Sequence, residues 1–246
     1  MSDKFSTEFQ IYTYQSDSQE YARPGSLFGF FIEAASMHAT NLGVGHIALR
    51  EKHNAFWALS KFHMDIIETP RWHQTIKITT WPSGYNRLFA LRYFVFTDSE
   101  GKLLAQGVSD WVIMDFNTRA LCNAETILSQ VPAFNLEEEH LDIKNIKVPT
   151  ANEELSASSI RQAMFSHLDM NNHVNSVHYL DWSLDCIEHI YICGHRPIAV
   201  DINFQHEISL GESVKMLCQN TEPDTFIITG RTDSHISFSA KIRFQG

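Results

Sequence analysis

Between Leu168 and Trp182 the chain reads Leu-Asp-Met-Asn-Asn-His-Val-Asn-Ser-Val-His-Tyr-Leu-Asp-Trp, which sets a carboxylate (Asp169), a carboxamide (Asn171) and an imidazole (His173) at alternate positions ahead of an apolar segment. Groups of these types can hold, take and return a proton when they are brought together. Beyond them Val174, Val177, Leu180, Leu184, Ile187 and Tyr191 recur at three- and four-residue steps, which predicts a helix burying one face. The cluster then lies before or in the first turn, where unbonded backbone N–H groups and the positive end of the helix dipole favour developing negative charge. Asp and Asn are also preferred helix starters, so the spacing alone is equally well explained by an Asx-type turn and an N-cap.

The neighbouring polar residues read as structural. Asn172, Asn175 and His178 suit the turn and the helix surface, and Asp181 and Asp185 read as solvated or capping residues. Glu33 and His38, in a corresponding first helix, lack the Asp-x-Asn-x-His surroundings, which predicts one active centre per chain. His206 and Glu207 form the adjacent pair to keep in view, although neighbours on a strand point to opposite faces.

A chain of 246 residues, 43% hydrophobic and 12% aromatic, can bury a sizeable core as one large domain or two small ones. A net charge of −10, with no basic stripe, phosphate-cradling Gly-rich loop or zinc-finger spacing, argues against nucleic acid as a partner. The thirteen histidines are scattered with no H-E-x-x-H, so no metal and no cofactor are expected. Cys122, Cys186, Cys193 and Cys218 show no C-x-x-C spacing and read as reduced thiols. With no membrane-spanning run and no secretion-signal pattern, the expectation is a cytoplasmic protein without membrane insertion; a homo-oligomer is left open.

The elements that must position the cluster follow from periodicity. Pro24 and Gly25 open a helix with apolar positions Leu27, Phe30, Phe31, Ala34 and Leu42, closed by Gly43 and Gly45. Strands are predicted over 56–67, 75–81, 88–97 and 103–116, with Pro82-Ser83-Gly84 and Asp98-Ser99-Glu100-Gly101 as turns. The stretch 131–158 reads as a linker; its acidic run Glu137-Glu138-Glu139 is assigned no function. A strand at 162–167, the Asp169 cluster with its helix, and strands over 198–208, 213–219, 226–233 and 236–244 then repeat the helix-then-sheet order. Similar alternation in 58–78 and 199–216, each running into a short strand with Lys77 or Lys215, indicates a weak internal duplication. The class is α+β, with units at 1–130 and 159–246.

Several runs together resemble the acyl-acyl-carrier-protein (acyl-ACP) thioesterase family. In the first half these are Trp57-Ala58-Leu59-Ser60-Lys61 with Thr69-Pro70-Arg71-Trp72, Thr80-Trp81-Pro82-Ser83-Gly84, and Ser109-Asp110-Trp111-Val112-Ile113-Met114 with Thr118-Arg119. In the second half the family's Asp-x-Asn-x-His is matched by Asp169, Asn171 and His173, and its downstream Glu by Glu207. The resemblance implies two tandem hot-dog units forming a pseudo-dimer, each a long central helix wrapped by an antiparallel sheet. It places an acyl chamber in the N-terminal unit and the catalytic groups in the C-terminal unit. It implies hydrolysis of fatty acyl-ACP in fatty acid biosynthesis, with acyl carrier protein as partner. Glu207 would act as base through a water held by His173, Asn171 would position the water or the carbonyl, and Asp169 would orient Asn171 and the helix start.

Chamber residues expected from the first unit are Phe30, Phe31, Ala34 and Trp57. Where some plant-type members carry Cys after the Glu, this chain has Ile208, which argues against a nucleophilic Cys at that position. Cys186 lies about three turns beyond His173, too far along a helix to share its proton. Candidate cations for carrier docking are Arg71, Arg87, Arg92, Arg119, Arg161 and Lys215. Acyl-CoA hydrolysis, hydration of an enoyl thioester and a non-catalytic acyl-binding module are the competing readings; the interposed Asn171 and distant Glu207 favour hydrolysis over hydration.

Overall fold

The structure is a computed structural model that describes residues 4–135, 140–155 and 157–246; the acidic run at 137–139 lies outside them. The first unit consists of β1 (Phe5–Gln10), α1 (Pro24–Asn41), α2 (His46–His53), β2 (Ala55–Ile66), β3 (Thr75–Tyr85), β4 (Ala90–Thr97), β5 (Leu103–Asp115) and the short α3 (Ala124–Leu128). Its strands form an antiparallel sheet in the order β1-β3-β4-β5-β2. The α1 segment is helical for the reasons its sequence suggests: proline at the first turn, apolar residues at helical steps, and Gly43 at φ +75° just past the end. Its buried face carries Leu27, Phe28, Phe31, Ala34 and Ala35. The Phe28 ring lies 4.4 Å from that of Phe62 on β2, and the Phe31 ring 4.1 Å from that of Phe94 on β4. Gly107 makes this packing geometrically feasible, since a Cβ there would stand 2.1 Å from Phe94 Cζ.

Pro82-Ser83-Gly84, expected as a turn, lies inside β3. The register against β4 shifts between Pro82 and Tyr85, a bulge that accommodates a proline without N–H and Gly84 at φ +90°. The actual turn follows at Asn86, whose side chain accepts from the amides of Leu88 and Phe89, both at 2.8 Å. β1, α2 and α3 carry no strong periodic signal and were not anticipated by the pattern.

The second unit contains β6 (Ser159–Gln162), α4 (Ser176–Leu184), α5 (His189–Gly194), β7 (Pro197–Phe204), β8 (Ser213–Glu222), β9 (Thr225–Arg231) and β10 (Ile236–Phe244). Its antiparallel sheet runs β6-β8-β9-β10-β7, the same order of equivalent strands as in the first unit. The apolar periodicity through Tyr191 predicts one helix, but the helix breaks after Leu184. The amides of Cys186 and Ile187 bond the carbonyls of Ser183 and Leu184, three residues back, so the last turn tightens and stops. The face that α4 buries is Tyr179, Leu180, Trp182 and Ser183, whereas Val177 and Leu184 are half-buried. The strand expected over 162–167 ends at Gln162 and gives way to a 3₁₀ turn at Phe165–His167.

The 131–158 stretch is tied down along its described length. Phe134 is buried in a cluster with Leu128, with Trp57 packed against it, and Leu141 and Ile143 pack on Trp81, Tyr93 and Val108. From Ile146 the chain belongs to the second compact unit. There the Asn203 side chain donates to the Ile146 carbonyl (3.0 Å) and accepts from the Val148 amide (2.8 Å), and Ala151 N–H donates to Thr229 Oγ1 at 2.9 Å. Among the described residues no helix is long and apolar enough to cross a membrane.

Candidate active site

Asp169, Asn171 and His173 lie in the loop before α4, not on the helix. Asp169 ties the loop into a knot: its Oδ1 accepts from the amides of Asn171 (2.8 Å) and His173 (3.3 Å), and its own N–H donates to the His173 carbonyl at 2.8 Å. Asn172 turns the chain in the left-handed region at φ +62°, a conformation Asn tolerates better than most residues. Asn175 then caps α4 by accepting from Val177 N–H at 3.1 Å, so the helix start is capped by Asn175 rather than by the cluster.

Glu207 comes from the other side. β7 ends at Phe204, so the strand expected to run through Ile208 stops short and Glu207 sits in the loop that follows. That loop is pinned at its far end, where Ser209 N–H donates to Glu212 Oε2 at 2.6 Å, and to the Asp169 loop where Val174 N–H donates to the Ile208 carbonyl at 2.8 Å. The consequence is that His173 Nε2 stands 3.4 Å from Glu207 Oε2, with the two side chains 21% and 40% exposed. A pair at that separation is within reach of a proton transfer once a substrate or water closes the gap. Both side chains are partly open to solvent.

The remaining candidates separate from this pair. His178 packs against the His167 ring at 4.9 Å, Asn172 is exposed, and Asp185 pairs with Arg161 at 3.1 Å. Cys186 donates to the Trp182 carbonyl at 3.1 Å, and burial pushes its thiol pKa up, away from the thiolate a nucleophile needs. In the first unit Phe31 lies among Phe62 and Phe94, Ala34 is fully buried, the Phe30 ring lies tilted against that of Phe9 at 4.8 Å, and Trp57 sits in a different cluster, donating to the Val44 carbonyl at 2.8 Å. These four do not converge on one wall by mutual contact. Arg92 cannot serve as a docking cation: it is 6% exposed, with Nη1 3.0 Å from His38 Nδ1 and donating to Thr80 Oγ1 at 3.2 Å. Among the described residues no group of three or more His, Cys, Asp or Glu is placed to hold a metal ion.

The first unit contains a backbone copy of the Asp169 loop, and it does not involve Glu33 and His38, the positions compared with the cluster in the sequence. Glu33 is exposed and His38 is buried beside Arg92. The copy lies before α1. Asp17 Oδ1 accepts from the amides of Gln19 (2.8 Å) and Tyr21 (3.0 Å), Asp17 N–H donates to the Tyr21 carbonyl at 2.7 Å, and Glu20 takes φ +67°. Ala22 N–H donates to the Pro70 carbonyl at 2.8 Å, as Val174 does to Ile208. The backbone is the same, but the reactive positions hold Gln19 for Asn171, Tyr21 for His173 and Thr69 for Glu207. Arg71 donates to the Tyr21 hydroxyl and lies over its ring at 4.2 Å. The signal was present as Asp17-x-Gln19-x-Tyr21 just ahead of Pro24.

A helix laid on an antiparallel sheet of this strand order, built twice in tandem with an accessible His–Glu pair in the second copy, defines the class of double hot-dog thioester hydrolases. The model of the acyl-ACP thioesterase N-terminal domain matches residues 2–129, and that of the C-terminal domain matches residues 151–246. The chain belongs to the acyl-ACP thioesterase family, hydrolases that act on acyl thioesters of carrier protein in fatty acid biosynthesis. It is 25% identical to the chloroplastic oleoyl-acyl carrier protein thioesterase 2 of Arabidopsis thaliana, over 96% of this chain and 70% of that one. It is 23% identical to the chloroplastic palmitoyl-acyl carrier protein thioesterase of Gossypium hirsutum, over 90% of this chain and 56% of that one. A crystal structure of an acyl-ACP thioesterase from Bacteroides thetaiotaomicron superposes with a TM-score of 0.91 at 22% identity, covering all of both chains.

Proposed function

We propose that this chain hydrolyses the thioester of fatty acyl-ACP, releasing free fatty acid and holo-carrier, with Glu207 and His173 as its acid–base pair. The observation that supports this most is the 3.4 Å approach of His173 Nε2 to Glu207 Oε2 at the accessible end of a knotted loop. Glu207 takes a proton from a water held by His173 as the water oxygen bonds to the thioester carbon. The carbonyl oxygen becomes an oxyanion, and positioned hydrogen-bond donors, the Asn171 carboxamide among them, stabilise it. Collapse of the tetrahedral intermediate breaks the C–S bond, and the proton held by the pair goes to the departing thiolate. Asp169 acts through the backbone of the loop, holding Asn171 and His173 in place.

The acyl chain is assigned to the first unit, and Phe31, packed against the Phe62 and Phe94 rings, is carried forward as the wall residue to test; Phe30, Ala34 and Trp57 do not converge with it on one wall. The reaction is placed in the cytoplasm, in keeping with four free cysteines. The test is turnover of a chain-length series of acyl-ACPs with matched acyl-CoAs alongside, for the native chain, His173→Ala and Glu207→Gln. Rates on acyl-ACP should exceed those on acyl-CoA and rise by roughly fourfold per methylene until the chain no longer fits. Both variants should fold and lose about 10²-fold or more in kcat. Saturable acyl binding with no thiol release would make the protein a binder, and near-native turnover of either variant would remove that residue from the mechanism.

A further inference from the structure

Around the His173–Glu207 pair the second unit leaves large apolar side chains in solvent. Phe165 is 85% exposed and Met170 80%, and Met164 and Leu210 are exposed as well. Backbone contacts place all four on the rim of the pair. Met170 sits at the tip of the tight turn that Asp169 N–H closes on the His173 carbonyl. Leu210 follows Ser209, which bridges to His173, and precedes Gly211, whose N–H donates to the Ala163 carbonyl at 2.8 Å. Met164 and Phe165 continue from that contact into the 3₁₀ turn whose last residue, His167, accepts from Asn175 N–H at 2.8 Å. Single apolar residues scattered over a surface need no explanation, but a set gathered around one feature marks a surface that another molecule covers.

The first unit repeats the backbone without the full rim. With Asp17 equivalent to Asp169, Thr13 and Ser18 stand where the second unit has Phe165 and Met170, while Tyr12 and, on the facing loop, Trp72 stand for Met164 and Leu210. Side chains needed only to build the loop would be apolar in both copies, so Phe165 and Met170 go with the pair rather than with the fold. Charge narrows what covers them. The stretches 163–175 and 205–212 hold three carboxylates, Asp169, Glu207 and Glu212, and no Lys or Arg, so the rim suits a neutral, apolar segment of a ligand and repels an anionic one.

We infer that this rim, Phe165 and Met170 above all, seats the phosphopantetheine arm of the acyl-thioester substrate. The inference rests on the reading of Glu207 and His173 as the acid–base pair. With the thioester carbon at that pair, the acyl chain leads away on one side and the sulfur on the other, so the part of the substrate that first meets the surrounding surface on the sulfur side is the arm. Methylenes and a gem-dimethyl group make up its apolar length. Its charged group, the phosphate, lies at the end far from the sulfur and so away from the three carboxylates. Covering about half of a phenylalanine or methionine side chain changes affinity by roughly tenfold.

The experiment gives the full chain three substrates with one acyl group: acyl-ACP, acyl-pantetheine, and the acyl-N-acetylcysteamine thioester, which keeps only the last few atoms of the arm. Phe165→Thr and Met170→Ser install the first unit's residues at exposed positions, so melting temperatures should stay native. In each variant kcat/KM on acyl-ACP and acyl-pantetheine should fall about tenfold through KM, with kcat within about twofold of native, and the double variant should lose more than either. On the truncated thioester kcat/KM should move by less than about twofold. Phe165→Leu, which keeps an apolar side chain, should recover most of the loss, and Ile190→Ser, at an apolar position 82% exposed on α5, should change nothing. Native kinetics of the double variant on acyl-pantetheine overturn the inference. A loss confined to acyl-ACP overturns it too, by putting the carrier's own surface on the rim, and an equal loss on all three substrates does so by making the rim part of the loop's framework. Near-native turnover of His173→Ala would instead overturn the underlying reading of the pair, so the two failures are distinguishable.

Discussion

Loops 12–23 and 164–175 share a backbone and differ in chemistry. Each begins with a turn in which a side chain, Gln15 or His167, accepts from the amide three residues earlier. Each is knotted by an Asp that accepts two amides, and each carries a left-handed residue before the strand-like exit. What separates them is Asn171, His173 and Glu207 against Gln19, Tyr21 and Thr69. The knot is therefore a structural device of the unit, found once beside a His–Glu pair and once without one. Asp169 and Asp17 do the same backbone work, which argues for Asp169 as a support and against a proton relay through it.

Substitutions at the two aspartates can break this comparison. Asp169→Ala removes the acceptor of two amides and should lower activity by about 10- to 100-fold, because Asn171 and His173 lose their common support. Asp169→Asn keeps an oxygen in the same place without the charge, and its activity should stay within about tenfold of native. Asp17→Ala should destabilise its loop by about 1–2 kcal/mol and leave kcat near native. Kinetics and thermal melts of the three variants check this together. An Asp169→Asn protein as inactive as His173→Ala would make the negative charge itself part of the reaction.

Legibility in the sequence followed the strength of the local signal. α1 and eight of the strands, each long and alternating, were readable from periodicity to within a few residues, and so was the repeat that joins Lys77 to Lys215. The Asp169 loop was visible as residue types, but its conformation was not, because an Asx knot and an N-cap draw on the same residues. The start of α4 is set by Asn175, and its end by a tightening of hydrogen bonds that apolar spacing does not encode. Glu207 stood out in the sequence beside His206, but its link to the Asp169 cluster came only through the family resemblance; β7 ends at Phe204, and Val174 N–H bonds the Ile208 carbonyl in the loop that follows. The copy at Asp17 escaped because its reactive residues are replaced, which hides a shared backbone from any search by chemistry. Arg92 was misjudged for a related reason: a cation is expected at the surface, and only the packed structure shows it beneath α1 beside His38.

The comparison extends to what each unit buries. The first holds Arg92 and His38 in its interior, whereas the buried polar side chains of the second, apart from Asp201, are uncharged Asn, Ser and Thr. Burial first, and the Arg92 charge second, hold the His38 pKa down at about 4, well below its ordinary value of 6.5. The folded state thus binds this proton less well than the unfolded chain, so the contribution is complete above pH 6.5 and is lost as pH falls through that value toward 4. Acid should therefore loosen the first unit. His38→Gln, which keeps a neutral acceptor for Arg92, should flatten the fall in melting temperature between pH 6.5 and 4 relative to native. Parallel curves for the two proteins would assign the acid sensitivity to other groups.

The smallest effect is expected at Cys186, which lies outside both loops. If the difference between the units is confined to the loop residues, a thiol beyond the end of α4 has no share in the reaction. Its sulfur donates to the Trp182 carbonyl and lies 3.7 Å from Ser159 Oγ, and burial keeps it protonated. Cys186→Ser preserves a donor of similar size, so kcat should stay within about threefold of native with a change in stability of about 1 kcal/mol or less. Thiol alkylation of the folded enzyme should likewise spare activity when the Cys186 site is unmodified. A loss in Cys186→Ser as deep as in His173→Ala, at unchanged melting temperature, would bring a covalent thiol route back and move the chemistry out of the loop.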